Sequence, residues 1–417
     1  MKKNIKLKPY NSFGKEEEKA VIKVIRSRKL SDFLARYGKN FLGGKNVKKF
    51  EIQCSKYFKT KYAIAVNSWT SGLVAAAGAI DLNPGDEVIV TPNTMSATIA
   101  SILHWGAIPV FCDIEDKYFN IDHKLITKLI SKKTKAIFVV DIYGHPCNYE
   151  KLKKIAKKYK LFLLSDNAQS PGAFYKKTYS SSISDIGGIS LNYHKHIHTG
   201  EGGVILTNSQ ELYYRCCLIR NHAEAIVIDD KKIKNYSNLV GHNFRFGEIE
   251  AAMGIVQLKK LNTLVKRRQI IAKKISKNLS KYKWLTLPNV EKNCTHSYYI
   301  YPLIVNTKKI SINRDYILRK FKKLGIEGIT KGYLPSNLLP IFSKKIAFGN
   351  KKYPWSLNNK KYKYSKGTCP VAEKLYFKTL ICFEMCRYQL DEADLNKLIK
   401  IFCKTFDEID ANFKRIN

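Results

Sequence analysis

From residue 63 to residue 207, short apolar runs alternate with longer amphipathic stretches. Runs such as Glu87–Val90 have the length of buried strands, and the intervening stretches, among them residues 122–130, have helical periodicity. Strands that alternate with helices are joined by crossovers and therefore lie parallel in one sheet. Within a chain of 417 residues, the pattern predicts an α/β fold with a mostly parallel main sheet.

The pattern changes beyond a helix predicted to begin at residue 248. After it, residues 297–305 have strand character, and residues 316–324 and 395–413 have helical periodicity. We therefore predict a large domain over residues 1–265 and a smaller C-terminal α/β domain over residues 266–417. The Lys- and Asn-rich stretch 343–366 has no strong periodicity and is predicted to be a long surface loop.

The chain is strongly basic, with 74 Lys and Arg residues against 34 Asp and Glu residues and a formal net charge of +40. Such a charge attracts nucleic acids and small anions alike. The basic residues stand in short scattered groups that are not interleaved with a helix-turn-helix, zinc-finger or RNP-like pattern. We predict no nucleic-acid partner, and a basic nucleic-acid-binding or regulatory protein is the alternative that this charge keeps open.

Cysteine usage and hydropathy indicate the compartment. The ten cysteines include no CxxC pair, which favours reduced thiols over a zinc or redox site. The first residues, Met1-Lys2-Lys3, are not followed by the apolar region of a signal peptide, and no apolar run reaches the length of a membrane span. We expect a cytoplasmic protein without membrane insertion.

Two segments carry candidate chemistry. The apolar run 161–164 leads directly into Asp166, which places a carboxylate at the end of a buried strand, where open α/β sheets bind their ligands. Farther along, a strand over 186–190 leads into a polar turn that contains Lys195 and then a Gly-rich corner at 200–203. A lone lysine means little in so basic a chain, and Asp166 has the simpler interpretation of a turn cap.

Together, these segments resemble the DegT/DnrJ/EryC1/StrS family of sugar aminotransferases, which are fold-type-I pyridoxal-phosphate (PLP) enzymes. The family has a Ser five residues before its Schiff-base lysine and a Thr-Gly-Glu-Gly-Gly run after it, and Ser190, Lys195 and residues 199–203 stand in that register. Further matches run along the chain: Asn-Ser-x-Thr at 67–70, Gly-Asp-Glu-Val-Ile at 85–89, Asp-x-Tyr-Gly-His-Pro at 141–146, Asp-x-Ala-Gln at 166–169 and Asn-Phe-Arg at 243–245.

The resemblance implies a role for each matched residue. Lys195 would bind the cofactor as a Schiff base and then serve as the base and acid of the proton shift. Asp166 would hold the pyridine nitrogen, which keeps the ring an electron sink, and Gln169 would bind the ring hydroxyl. The phosphate would be held by Thr70 and Ser71 at a helix N-terminus, by Ser190, and by Asn243 from the neighbouring chain. The last assignment implies a homodimer with shared active sites.

Two features depart from the family pattern. The family usually has an aromatic residue against the cofactor ring, and this chain has Met95 there, within Thr94-Met95-Ser96-Ala97-Thr98; a polarizable thioether also packs on rings. Histidines flank Lys195 on both sides, and a branch of the family that replaces the lysine with histidine is a sugar 3-dehydratase. Counting from Ser190 and from Thr199 returns Lys195, which favours transamination.

The alternating residues His194, His196 and His198 are also compatible with a metal site, although locally hydrogen-bonded turn histidines are the favoured interpretation. The function that the resemblance implies is transfer of an amino group from glutamate to a nucleotide-linked keto-deoxysugar, with the 4-keto position favoured, for glycan amino-sugar biosynthesis. A PLP-dependent keto-deoxysugar 3-dehydratase is the alternative within the family. Residues 328–341 stand where relatives help to bind sugar, and no roles are assigned there.

Overall fold

The computed structural model describes residues 6–227, 235–310, 312–358 and 360–416. Its helices are α1 (Lys15–Ser27), α2 (Lys45–Phe58), α3 (Trp69–Ala79), α4 (Ser96–His104), α5 (His123–Ile126), α6 (Tyr149–Tyr159), α7 (Gln210–Arg220), α8 (Glu248–Leu279), α9 (Thr307–Ile310), α10 (Arg314–Lys323), α11 (Pro340–Ser343), α12 (Pro370–Lys374) and α13 (Glu392–Ile416). Its strands are β1 (Tyr62–Val66), β2 (Glu87–Val90), β3 (Ile108–Phe111), β4 (Thr134–Val140), β5 (Phe162–Asp166), β6 (Phe174–Tyr175), β7 (Thr178–Tyr179), β8 (Ile186–Ser190), β9 (Gly203–Thr207), β10 (Leu285–Thr286), β11 (Tyr301–Val305), β12 (Ile329–Thr330) and β13 (Leu380–Phe383).

The main sheet has seven strands in the order β1-β9-β8-β5-β4-β2-β3. Its pairs from β3 across to β8 are parallel, as the alternation of strands and helices predicts, and this confirms the α/β fold. Strand β9 is antiparallel to both of its neighbours. The reason is local: residues 191–202 join β8 to β9 without a helix, so the chain returns beside the strand that it has just left.

One helix of this region is shorter than the sequence predicts. Of the predicted helix over residues 122–130, only His123–Ile126 is α-helical. Beyond it the backbone hydrogen bonds join residues three apart instead of four. The amide of Lys128 donates to the carbonyl of Leu125, and that of Leu129 donates to the carbonyl of Ile126. These bonds between residues three apart end the α-helix in a tighter turn.

The remaining strands form a second sheet, with the order β10-β11-β13-β12 and antiparallel pairing throughout. A separate hydrophobic core lies around it, which includes Ile317 and Phe402. The boundary predicted between residues 265 and 266 falls inside α8, which continues for 32 residues. Leu7 packs in this second core, whereas Trp355 and Leu375 pack in the core of the main sheet. The division into 1–265 and 266–417 stays a prediction.

The stretch 343–366 is not simply a surface loop, as the sequence suggested. It is largely irregular, but Trp355, Tyr362 and Tyr364 are buried in the core of the main sheet. Tyr364 Oη donates to the carbonyl of Pro109 on the edge strand β3 at 2.7 Å. The segment therefore covers an open sheet edge, which periodicity does not predict because an irregular chain has no repeat.

In the described ranges, no helix is both long and apolar enough to span a membrane. The ten cysteines are free thiols.

Candidate active site

Lys195 lies in the loop between β8 and β9, at the carboxyl end of β8. Its side chain is buried, and Nζ lies 4.3 Å from the centre of the Tyr299 ring. Burial lowers the pKa of Lys195 to about 8, and the Asp166 carboxylate opposes part of that decrease. Because a larger fraction of this amine is neutral near pH 8 than of an exposed lysine, it is suited to attack an aldehyde.

The carboxylate of Asp166 interacts electrostatically with this amine. It ends β5, which lies beside β8. Trp69 Nε1 donates to Oδ1 at 2.8 Å, and Thr98 Oγ1 donates to Oδ2 at 2.6 Å. The amide of Ala168 also donates to Oδ1, at 3.1 Å. The carboxylate is thus buried and held by three donors, which is more than a turn cap requires.

The N-terminus of α3 lies next to these strands. Ser68 caps the helix: its hydroxyl accepts from the Ser71 amide at 3.0 Å and lies 2.8 Å from the Ser71 hydroxyl. Ser68 had no role predicted from the sequence. Thr70 is exposed. Ser190 is buried and pairs in register with Gly203, which abuts the backbone of Trp69. Ser190 therefore lies close to the positive end of the α3 dipole.

Gln169 lies just beyond Asp166 and is buried. Its Oε1 accepts from the Tyr143 amide at 2.7 Å, and its Nε2 donates to Tyr333 Oη at 2.9 Å. Tyr333 and Tyr299 line a cavity of about 770 Å³, which has Tyr10, His194 and Arg387 among its other walls. The two tyrosines therefore connect the Gln169 amide and the Lys195 amine to one cavity.

Met95 and Asn243 are both exposed. Met95 is 54% exposed, and its sulfur accepts from the Ala97 amide at 3.1 Å at the start of α4. Asn243 is exposed, and its backbone carbonyl accepts from Asn67 Nδ2 at 3.3 Å. The ring-packing role of Met95 and the cross-subunit role of Asn243 stay predictions.

The histidines beside Lys195 have different surroundings. His196 is fully buried with Nε2 2.9 Å from the carbonyl of Ser297, and burial lowers its pKa to about 3. His194 lines the cavity, and burial lowers its pKa to about 4. His198 packs on Phe13, with ring centres 4.5 Å apart. Among the residues that the structure describes, no group of three or more His, Cys, Asp or Glu side chains is arranged to hold a metal.

The site also contains residues that were not assigned a role from sequence, among them Trp69, Thr98, Tyr299 and Tyr333. Trp69 and Thr98 stand inside matched motifs, and Thr98 follows Thr94 at helical spacing, with their hydroxyls 2.9 Å apart. Tyr299 and Tyr333 come from the C-terminal half of the chain, where no local pattern connects them to Lys195.

Known proteins resemble this chain over most of its length. The model of the DegT/DnrJ/EryC1/StrS aminotransferase family matches residues 23–381. The protein MJ1066 of Methanocaldococcus jannaschii is 34% identical over 372 residues, which cover 87% of this chain and 88% of that protein. GDP-perosamine synthase of Escherichia coli O157:H7 is 30% identical over 302 residues, which cover 72% of this chain and 80% of the synthase.

Solved structures share the fold. The aminotransferase from Psychrobacter cryohalolentis superimposes with a TM-score of 0.82 at 28% identity, over 97% of this chain and 100% of that one. The Escherichia coli GDP-4-keto-6-deoxy-D-mannose-3-dehydratase superimposes with a TM-score of 0.78 at 24% identity, over 95% and 99% of the two chains, and indicates the fold alone. The chain therefore belongs to the DegT/DnrJ/EryC1/StrS aminotransferase family and is a fold-type-I, pyridoxal-phosphate-dependent aminotransferase.

Proposed function

We propose that this enzyme moves an amino group from glutamate to a nucleotide-linked keto-deoxysugar, with the 4-keto position favoured, for glycan amino-sugar biosynthesis. The observation that carries the proposal is the buried Lys195 amine, whose pKa is about 8 and which interacts with the Asp166 carboxylate. The similarity to GDP-perosamine synthases over most of the chain supports a nucleotide-sugar substrate.

The residues around Lys195 fit PLP. When bound, PLP supplies an aldehyde for an amine and a ring that withdraws electrons from the substrate carbon. We propose that Lys195 binds the aldehyde, Asp166 the ring nitrogen and Gln169 the ring hydroxyl. We propose that the phosphate binds at the N-terminus of α3, where Thr70 is exposed and Ser190 lies close by. Helix N-termini present free amides and a positive potential to anions. Three further residues complete the proposed cofactor site. Ser71 would bind the phosphate, Met95 would pack against the ring, and Asn243 would reach the phosphate from the second chain of a homodimer.

Lys195 also moves the proton in this proposal. A base works best when its pKa lies near the working pH, because it is then both unprotonated and basic enough to accept a proton. Burial brings the pKa of Lys195 from 10.5 to about 8. The amine can therefore accept a proton from the substrate carbon and return it after the charge has moved.

The dehydratase alternative needs histidine in the position of the lysine. The surroundings of His196 disfavour that role for His196, because its Nε2 already lies within hydrogen-bond distance of the Ser297 carbonyl. His194 borders the cavity, but the amine with the perturbed pKa that interacts with Asp166 belongs to Lys195. We therefore favour transamination over dehydration. The family match over residues 23–381 likewise favours an enzyme over a nucleic-acid-binding protein.

The test has two parts. The enzyme saturated with PLP should show a visible absorption band, and borohydride should fix the cofactor on Lys195, as located by peptide mass spectrometry. Incubation with glutamate and nucleotide-linked keto-sugars should then give 2-oxoglutarate and amino-sugar in equal amounts. A keto-sugar that has lost the hydroxyl group on the carbon next to its carbonyl, formed without amino-sugar, would instead establish the dehydratase.

Lys195→Ala should lower transaminase activity by at least about 10³-fold, because both cofactor attachment and the proton shift depend on this amine. The fold should survive, since the residue stands in a loop rather than in a strand or helix, and circular dichroism and a thermal melt provide that control. Full activity in a folded Lys195→Ala variant would overturn the proposed mechanism.

A further inference from the structure

Trp69 contacts the carboxylate of Asp166 directly. It is the first residue of α3, only 5% exposed, and its Nε1–H donates to Asp166 Oδ1 at 2.8 Å. A buried indole N–H needs an acceptor. An apolar side chain at this position would fill the core without that requirement. The side chain thus joins the start of the helix proposed for the phosphate to the carboxylate proposed for the ring nitrogen.

The indole is fixed by a slot that glycines leave open. A Cβ atom on Gly188 of β8 would lie 2.1 Å from Trp69 Cη2, and one on Gly72 of α3 would lie 2.7 Å from Cε3. Both distances are far below van der Waals contact. Any larger residue at Gly188 would therefore displace the indole, and Trp69 has little freedom to turn away from Asp166.

The other donors to Asp166 come from different elements. Thr98 of α4 binds Oδ2, and the Ala168 amide binds Oδ1 beside Trp69. Thr98 is itself held by Thr94, with their hydroxyl oxygens 2.9 Å apart. Fixed donors on both oxygens set the plane of the carboxylate before any ligand arrives. Such preorganisation strengthens binding because the carboxylate has little ordering entropy left to lose.

We propose that Trp69 is a positioning residue of the active site, whose indole N–H holds the Asp166 carboxylate in the orientation that receives the ring nitrogen of PLP. This inference rests on the role proposed above for Asp166. It predicts that the N–H of Trp69 matters only for a cofactor that has a ring nitrogen, whereas the packing of the indole matters for any ligand of this shape.

The decisive variant is Trp69→Phe, which removes the N–H and keeps an aromatic ring. Its matched control is Trp105→Phe, because Trp105 is also buried and also donates through Nε1, but to the backbone carbonyl of Val74 inside α3. Affinities of the apoenzymes are measured by equilibrium dialysis for PLP and for 1-deazapyridoxal 5′-phosphate, in which CH replaces the ring nitrogen.

We expect Trp69→Phe to weaken PLP binding about tenfold, the loss typical of one hydrogen bond to a charged group. Binding of the deaza analogue should stay within about twofold of wild type, because the interaction that Trp69 supports is then absent. Trp105→Phe should bind both ligands as wild type does. A Trp69→Phe variant that resembles Trp105→Phe, or that loses both ligands equally, would overturn the proposal.

Two additions keep the test decisive. Should Trp69→Phe fail to fold, 3-benzothienylalanine at this position retains the bicyclic shape and removes only the N–H, and the same outcomes apply. Asp166→Asn separates this inference from the proposed function. One outcome is that Asp166→Asn weakens the binding of PLP and leaves that of the deaza analogue unchanged. If Trp69→Phe then leaves the binding of both ligands unchanged, only the role of Trp69 is overturned. If Asp166→Asn has no such effect, the role proposed for Asp166 fails and that of Trp69 fails with it.

Discussion

At the scale of single residues, burial determines what Lys195 can do. An exposed lysine is almost entirely protonated near neutral pH, whereas burial brings the pKa of Lys195 to about 8. The flanking His194 and His196 are held neutral by the same cause, since burial lowers their pKa values to about 4 and about 3. Among residues 194–196, Lys195 is therefore the one whose pKa lies near 8, and its amine interacts with the Asp166 carboxylate.

The same burial predicts how the apoenzyme responds to pH. Because the pKa of Lys195 is lower in the folded chain than the 10.5 of the unfolded one, the unfolded chain binds the proton more tightly. The buried ammonium therefore destabilises the fold below about pH 8, and this cost declines as the pH rises toward 10.5. Lys195→Met removes it and should raise the free energy of unfolding of the apoenzyme at neutral pH by on the order of 3 kcal/mol.

Urea unfolding of both apoenzymes across this pH range measures the difference. The advantage of Lys195→Met should narrow steadily as the pH rises through 8 and beyond. An advantage that is the same at every pH would show that methionine merely packs better, and would contradict the lowered pKa.

At the scale of elements, a buried ion pair joins helices α2 and α7 to strand β1. Arg220 Nη1 donates to Glu51 Oε1 at 2.5 Å and to the carbonyl of Ala65 at 2.9 Å, and the same Glu51 oxygen accepts from the Ala65 amide. The backbone carbonyl of Arg220 accepts from the amide of Phe244, next to Asn243. This pair therefore supports both the first strand of the sheet and the segment proposed to reach the second subunit.

Arg220→Met should lower the free energy of unfolding by about 3–5 kcal/mol, because it leaves the Glu51 carboxylate buried without its partner. Adding Glu51→Gln should recover much of this loss, since the neutral amide oxygen can still accept from the Ala65 amide. Urea denaturation measures both variants. Lys281→Met, which breaks the exposed pair with Asp407, serves as the control and should change stability little. An Arg220→Met variant as stable as this control would contradict the structural role of the buried pair.

At the scale of the whole molecule, the proposed homodimer with shared sites predicts that two different variants can complement each other. Lys195 and Asn243 would serve the same site from different chains. In a hybrid of Lys195→Ala and Asn243→Ala chains, one site then carries both substitutions and the other carries neither.

Random pairing makes half of the dimers hybrids with one intact site each. An equal mixture of the two variants should therefore recover about a quarter of wild-type activity in addition to what the remaining homodimers retain. The variants are mixed, dissociated and reassociated, and transaminase activity is compared with that of each variant treated alone. Activity that stays at the level of the separate variants would place Asn243 with the Lys195 of its own chain, or in no site.

The sequence by itself determined the main sheet and the position of its chemistry. Alternating strands and helices require parallel pairing, and parallel strands end together, so Asp166 was predicted at the ligand-binding edge from local pattern alone. The resemblance to the family motifs around Ser190 and Thr199 selected Lys195 between two histidines. These features depend on residues close in the chain, where periodicity and motif spacing carry the information.

Only the tertiary structure decided what surrounds these two residues. Tyr299 and Tyr333 reach the site from more than a hundred residues away, and the buried aromatic residues of the stretch 343–366 cover the edge of the sheet without any repeat that could predict them. Trp69 had no role predicted from the sequence, and its bond to Asp166 depends on the space left by Gly72 and Gly188 on two different elements. Such contacts follow from how the elements pack together, and packing across the chain leaves no period in the sequence.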